Sequence, residues 1–371
     1  MPESEETAAA AKETGRLRIL TVNPGSTSTK FAVYDDEECV MTQIIRHSRS
    51  ELDAFPSVIG QKGLRMSHLT DALKKRGVGL ESLDAIAGRG GLMHPIESGT
   101  YLINEAMIHD LVTSPPPVHA SVLGCIIAKE MADTLGIPAY VVDPIVVDEM
   151  DPDARLSGMP GIERSSTFHT LNQKAIARRL ASDLGKPYEN LRIIVAHLGG
   201  GITVGAHRYG RVIDVNDAMS GEGPFTPERT GAIPALPLIN MCFSGEYTKQ
   251  ELIDRVTKSG GMQGYLGTNN MRQAQRMIDD GDEFAALVVD SMAYQLAKEI
   301  GAMATVLEGR VDAIVLTGGL AHSGRFTGAV KQRVDMLAPV HVYPGEDEML
   351  ALMQGALRVL RGAEQAAEYE G

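Results

Sequence analysis

Apolar residues along the chain fall into short runs of strand length and longer stretches of helical period, and the two kinds alternate. From Leu17, LRILTVN is an apolar run stopped by Pro24 and Gly25, and STSTKFAVYDD, rich in Thr, Val and aromatics, predicts the returning strand of a hairpin. Leu191 lies 174 residues after Leu17 and opens LRIIVAHLGGGITVGAHRYGRVID, which predicts a strand, a glycine turn, a second strand and a further turn at Tyr209 and Gly210. Setting Leu17 on Leu191 places Arg18 on Arg192, Ile19 on Ile193, Gly25 on Gly199, Thr29 on Thr203 and Ala32 on Ala206. The pattern predicts a duplicated domain with one glycine hairpin per half, both facing one cleft. Chance similarity between two β-hairpins is the competing account.

Between the hairpins, HASVLGCIIAKEMADTLG (His119 to Gly136) has helical period, ends on glycine and leads into the apolar strand PAYVVD. The second half predicts a helix from Glu283 to Glu308, the strand VDAIVLTGG and a final helix from Asp347 to Arg361. This rhythm is that of an α/β protein with helices on both faces of mixed sheets. At 371 residues the chain exceeds the roughly 250 to 300 at which one core stops growing. Two domains are therefore expected, 17–150 and 151–347, with the C-terminal helix of 348–371 packing back on the first and 1–16 forming a loose polar tail.

Composition narrows the function. No apolar run approaches the 18 residues or more of a membrane span, and a net charge of −13 opposes binding to a polyanion such as nucleic acid. The three cysteines, Cys39, Cys125 and Cys242, have no metal-ligand spacing and fit a reducing compartment. The first residues, MPESEETAAAAKETGR, lack the basic start and apolar stretch of a signal peptide, so a cytoplasmic location is expected.

Three glycine-bearing turns carry candidate chemistry. NPGSTSTK (Asn23 to Lys30) joins main-chain amides to Ser and Thr hydroxyls in a cradle suited to phosphate, or is an ordinary hairpin turn. In HLGGGITVG (His197 to Gly205), three consecutive glycines let a ligand approach the main chain. LTGGLAHSG (Leu316 to Gly324) ends a buried strand on two glycines before a helix. Neither GxxxxGK[ST] nor GxGxxG occurs.

Phosphoryl transfer needs donors and cations around the moving group, and arginine is the preferred tool. Arg89 stands between glycines in AGRGGLMHP, and Arg229 sits in the loop GPFTPERTG. His119, His169 and His197 lie beside glycine, proline or a strand end, with spacing too long for a zinc site, and structural and catalytic roles both remain open for each. Asp143 ends AYVVD, where α/β proteins place functional carboxylates and where loop capping is its plain alternative.

On NPGSTSTK, GRGGLMHPIESGTYLIN, VVDPIVVDEM, RSSTFHTLNQKAIARR, HLGGGITVGA, GEGPFTPERTG and LTGGLAH, in that order, the chain resembles the acetate kinase family, and within it the butyrate kinases. That family belongs to the acetate and sugar kinase, Hsp70 and actin superfamily. The resemblance implies a two-domain actin-like ATPase (ribonuclease H-like) fold, ATP or ADP in the cleft, and in-line transfer of the γ-phosphate to a carboxylate oxygen, giving an acyl phosphate. It implies that Arg89 and Arg229 hold the carboxylate and the phosphoryl, that His169 hydrogen-bonds the phosphoryl, and that Asn23, Ser26, Ser28, Lys30, His197, Gly199, Gly200 and Gly201 line the phosphate path. Arg272 in LGTNNMR, with Gly318 and Gly319, falls on the nucleotide side, where Asn270 replaces the family's usual aspartate. Asp143 and Glu348 would position Mg²⁺ through water, Glu346 and Asp347 being alternatives to the latter. A homodimer or larger assembly follows the family's habit.

Gly91 stands where acetate kinases carry valine, which predicts extra room for an acid of three to five carbons. Val118, His119, Phe168, Pro224 and Phe225 are the other candidate substrate contacts, and Gly91→Val is expected to shift preference toward acetate. A sugar or polyphosphate enzyme on the same fold would need an aspartate base where the first hairpin has Asn23. A chaperone-like ATPase would carry an added domain.

Overall fold

The computed structural model describes residues 15–113, 119–217 and 219–371, and every structural statement below concerns these residues. Two compact units divide the chain, Met1–Val147 with Asp347–Gly371, and Asp148–Glu346. Most of the expected polar tail lies outside the described residues. Arg16, at its end, pairs with Glu38 at 2.8 Å.

In the first unit, β1 (Arg18–Pro24), β2 (Ser28–Asp35) and β3 (Glu38–Arg46) form an antiparallel meander, and β4 (Ala85–Gly88) and β6 (Ala139–Val142) extend it in parallel. With β5 (Thr100–Leu102) antiparallel on the edge, the sheet order is β3-β2-β1-β4-β6-β5. Strands covered on both faces read as continuous apolar runs, as β1 does. Its Leu20 and Val22 join a core with Leu69 and Leu73 of the helix Lys62–Lys75 and Leu123 and Ile127 of the helix Val122–Leu135. Thr21 points the opposite way and meets Met349 of the helix Glu348–Leu360, which covers the other face. The expected helix from His119 starts three residues later, at Val122, because His119 Nδ1 accepts the Ser121 N–H in a preceding turn. Gly136 closes that helix in the left-handed conformation at φ 68°.

The second unit repeats the design with β7 (Arg192–Leu198), β8 (Ile202–Arg208), β9 (Arg211–Val215), β10 (Ala313–Gly318) and β11 (Val340–Pro344), in the order β11-β10-β7-β8-β9. The helix Thr170–Asp183 buries Ile176, Ala177 and Leu180 against Ile193, Val195 and Val315 on one face. On the other, Met292, Leu296 and Ile300 of the helix Glu283–Val306 meet Ile194, Ala196 and Leu316. The strand orders β3-β2-β1-β4-β6 and β9-β8-β7-β10-β11 match in both sequence and direction. One detail of the sequence correspondence changes. Pro24 pairs with Thr29 across residues 25–28, whereas Leu198 pairs with Ile202 across residues 199–201. The first turn is one residue longer, so Lys30, not Thr29, stands opposite Asn23 as Thr203 stands opposite His197.

A buried ion pair fixes the helix Thr170–Asp183. Lys174, with no exposed surface, donates to Glu149 Oε2 and to Gly210 O, each at 2.7 Å, while the Val212 N–H donates to the same Glu149 oxygen at 2.8 Å. Removing one partner strands a charge in a dry interior. Lys174→Met is expected to lower stability by about 3 to 5 kcal/mol in urea unfolding, and Lys174→Met with Glu149→Gln to recover part of it.

Candidate active site

The turn after β1 is held from beneath. Arg65, fully buried on the helix Lys62–Lys75, donates from Nη1 to Gly25 O and Ser28 O at 2.9 Å and to Thr29 Oγ1 at 3.2 Å, and from Nη2 to Ser26 O at 3.1 Å. Gln61 Oε1 accepts from Nε and Nη2 at 3.2 and 3.0 Å and sets the plane of the guanidinium. With the carbonyls engaged on that side, Ser26 lies exposed at the tip and Ser28 half-buried beside it. Asn23 and Lys30 form a cross-strand pair at the hairpin's end.

Arg89 follows β4 and forms an ion pair with Glu348, to which Asn23 Nδ2 also donates. Three predicted site residues therefore meet, and both Glu348 carboxylate oxygens are engaged. The neighbouring acids do other work: Asp347 caps the helix by accepting from Leu350 N at 3.3 Å, and Glu346 lies 3.2 Å from His197 Nε2. His119 is drawn toward its neutral form, first by desolvation of its ring and then by the charge of Arg89. Asp143 is buried, with φ 39°, and its Oδ1 accepts from Ser98 Oγ at 2.6 Å and Gly99 N at 2.9 Å.

The expectation for Gly91 needs correction. A Cβ there would lie 3.1 Å from Val122 Cβ and 3.2 Å from its Cα, on top of Cγ1. The space freed by the glycine is filled by the first turn of the helix Val122–Leu135, so Gly91→Val would push on that helix before it narrowed any pocket. Val118 lies outside the described residues.

In the second unit, the glycine turn after β7 admits the protein's own side chains. A Cβ at Gly201 would lie 2.5 Å from Arg229 Nη1, and one at Gly200 3.1 Å from Glu228 Oε2. Thr226 ties this loop down: its hydroxyl donates to Gly200 O at 2.6 Å and accepts from Arg229 N at 2.9 Å. Burial pulls the Arg229 pKa down, against the opposing pull of Glu228 and Asp217. His197 is buried, with Nδ1 2.8 Å from Asn172 Oδ1. Its ring stacks on that of His169 at 3.8 Å between centroids and 12° between planes. His169 in turn lies 3.0 Å from Thr203 Oγ1 through Nδ1. The second unit thus assembles His169, His197, Arg229 and Gly199 to Gly201.

Gly318, at φ 91°, lets β10 run against β7, since a Cβ there would lie 2.5 Å from Leu198 O. Gly319 follows exposed, with open space beside its Cα. Asn270 caps the helix Met271–Asp279 by accepting from Arg272 N at 2.9 Å, which gives the residue in place of the usual aspartate a structural task. Pro224 lines a small cavity with Ile202, Thr226 and Arg229. The next residue, Phe225, points away from it, into an apolar groove of about 720 Å³ with Ile233, Leu238 and Tyr265. Phe168 packs against Val212 and Val215 and is only 1 % exposed. Of the predicted apolar walls among the described residues, Pro224 is the one that lines a cavity with Arg229.

The sequence profile of the acetokinase family matches residues 157–343, half of the chain. The chain belongs to this family. Its class of chemistry is phosphoryl transfer between a nucleotide and a carboxylate. The fold is shared with Porphyromonas gingivalis acetate kinase at 19 % identity and a TM-score of 0.75, covering 93 % of this chain and 100 % of the other. A propionate kinase from Francisella tularensis subsp. tularensis matches at 19 % identity and 0.73, covering 91 % and 98 %. Entamoeba histolytica acetate kinase matches at 20 % and 0.72, again over 91 % and 98 %. The actin-like ATPase fold with a duplicated core follows.

Among the described residues no group of three or more His, Cys, Asp or Glu side chains could hold a metal ion, and no helix is long and apolar enough to cross a membrane. Asp143 and Glu348 are nevertheless hard oxygen donors of the kind Mg²⁺ takes alongside phosphates and its own waters. Asp143 Oδ1 is already engaged by Ser98 and Gly99, and Glu348 by Asn23 and Arg89, so a cation held through water suits these carboxylates better than direct ligation.

Arg65 carried no signal in the sequence beyond an arginine at helical spacing. Arg65→Met is expected to cost about 3 kcal/mol in urea unfolding by leaving buried carbonyls without donors, and to speed amide hydrogen exchange at Ser26 to Thr29. Unchanged exchange there would refute the clamp.

Proposed function

We propose that this acetokinase-family protein reversibly phosphorylates a short-chain carboxylate with ATP to give the acyl phosphate, butyrate or a branched relative being the acid that its motif resemblance implies. The carrying observation is the cluster of Asn23, Arg89 and Glu348. A sugar kinase needs a carboxylate base at the first hairpin, where this chain has Asn23, and the acid beside that hairpin, Glu348, instead orients Arg89. A carboxylate acceptor is ionised at neutral pH and is itself the nucleophile, so positioning and charge neutralisation do the work.

In this reading Arg89 holds the acid, and Arg229 and His169 donate to the moving phosphoryl. Asn23, Ser26, Ser28, Lys30, His197 and the turn Gly199 to Gly201 line the phosphates. Arg272, Gly318 and Gly319 serve the nucleoside. Mg²⁺, positioned through water by Asp143 and Glu348, would neutralise phosphate charge. His119 and Pro224 remain the candidate limits on acid length. The alternative within the family is an acetate or propionate kinase.

Self-association is supported by the helix Ala235–Cys242, which buries no residue in its own unit while exposing Leu236 at 75 %, with Phe243 just beyond it at 86 %. If this face joins copies in a homodimer, Leu236→Asp with Phe243→Asp yields a smaller species by light scattering. An unchanged mass would exclude it.

Initial rates of acyl phosphate formation, trapped as the hydroxamate, with Mg·ATP and acetate, propionate, butyrate, isobutyrate, valerate and isovalerate test the reading. The kcat/KM maximum is expected at four or five carbons, with neighbours competing because one methylene is worth about 1 to 3 kcal/mol. A maximum at acetate transfers the chain to the acetate kinases, and no acid-dependent turnover rejects the kinase reading. Arg89→Ala and Arg229→Ala should each lower kcat by about a hundredfold or more with ATP binding retained.

A further inference from the structure

Behind His169 lies a line of side chains whose hydrogen-bond polarity can be read donor by donor. Gln173 Nε2 is 3.1 Å from Thr203 O and 2.9 Å from Thr203 Oγ1. A main-chain carbonyl can only accept, so the nitrogen end of the amide faces Thr203, and Gln173 Oε1 faces His207 Nε2 at 3.0 Å. His207 must therefore donate there. Tyr188 OH lies 2.7 Å from His207 Nδ1. Burial, then the charges of Lys174 and Arg178, holds His207 well below its ordinary pKa, so the ring is neutral and Nδ1 accepts from Tyr188.

The second hydrogen of the Gln173 amide goes to Thr203 Oγ1, which keeps one hydrogen to give. Thr203 is fully buried, and His169 Nδ1 is 3.0 Å from the hydroxyl. A buried hydroxyl hydrogen needs an acceptor, and Nδ1 supplies it. A neutral His169 then carries its proton on Nε2. The backbone is shaped around this amide: β8 has Gly205 in mid-strand, where a Cβ would lie 2.5 Å from Gln173 Oε1.

We propose that the line Tyr188, His207, Gln173 and Thr203 fixes the tautomer of His169 so that Nε2–H is the donor offered to the transferring phosphoryl, with Gln173 and Thr203 as positioning residues. This rests on the reading of His169 as a phosphoryl donor. The first half of the chain has no counterpart, because the place equivalent to Thr203 is taken by Lys30.

The test uses the full chain labelled with ¹⁵N-histidine, the His169 signals being assigned by their loss in His169→Gln. The wild type is expected to show Nε2–H with Nδ1 accepting. Thr203→Val should give a mixture of tautomers and lower kcat by about tenfold, the size of one hydrogen bond, with KM for ATP and acid little changed. Thr203→Ser should restore both readouts. Gln173→Met, expected to mix the tautomers too, serves if the valine variant does not fold. A wild-type Nδ1–H tautomer overturns the proposal, as does a fall in kcat with the tautomer unmoved, which would mark a merely structural role. Full activity in His169→Gln overturns instead the reading of His169, and the functional half of the proposal with it.

Discussion

A tight turn whose amides point one way leaves carbonyls pointing the other, and in a folded protein those carbonyls need donors. Both hairpin turns of this protein meet that constraint, with different chemistry. In the first unit one buried guanidinium, Arg65, takes the carbonyls of Gly25, Ser26 and Ser28 at once. In the second, Thr226 takes Gly200 O while Arg229 lies against Gly201. The duplicated strands repeat, but the devices under the turns do not. Arg65 is sealed below its turn and is structural, whereas Arg229 is half-buried beside a small cavity.

The return of the chain's end to the first sheet has a comparable effect. Three consecutive acids, Glu346, Asp347 and Glu348, face His197, a helix N-terminus and Arg89. Adjacent residues at the start of a helix point in different directions, so one residue of slippage would exchange the histidine or the arginine partner for the capping position of Asp347. The division between the two units falls within this triplet, between Glu346 and Asp347.

Strands and turns were legible because their signals are local: an apolar run stopped by Pro24 and Gly25 has few alternatives. The cluster of Arg89 with Asn23 and the gathering of His169, His197 and Arg229 were legible through family motifs. Contacts made at long range were not. What fills the space beside Gly91 is Val122, on a later helix, and no local pattern reveals it. That Pro224 and its neighbour Phe225 line different cavities depends on which elements wall the loop on each side. Aligning Thr29 with Thr203 assumed equal turns, and one extra residue in the first moved Lys30 into that place. Gln173 reads as a polar residue of an amphipathic helix until Gly205 is seen to make room for it.

The pairing of Arg89 with Glu348 bears on how an anionic substrate could be held there. A guanidinium carries five N–H donors in a planar fork, and Glu348 engages it through Nη1. An internal carboxylate on that edge orients the side chain before substrate arrives, which reduces the ordering cost that binding would otherwise carry. It also keeps a cation from standing alone in a partly desolvated place. A second carboxylate can then approach the remaining donors of a group already aimed, while Asn23 contributes a neutral donor to Glu348 and limits the repulsion between the two acids. On the proposed reading, the acid beside the first hairpin therefore serves catalysis by holding an arginine in position for an anionic acceptor.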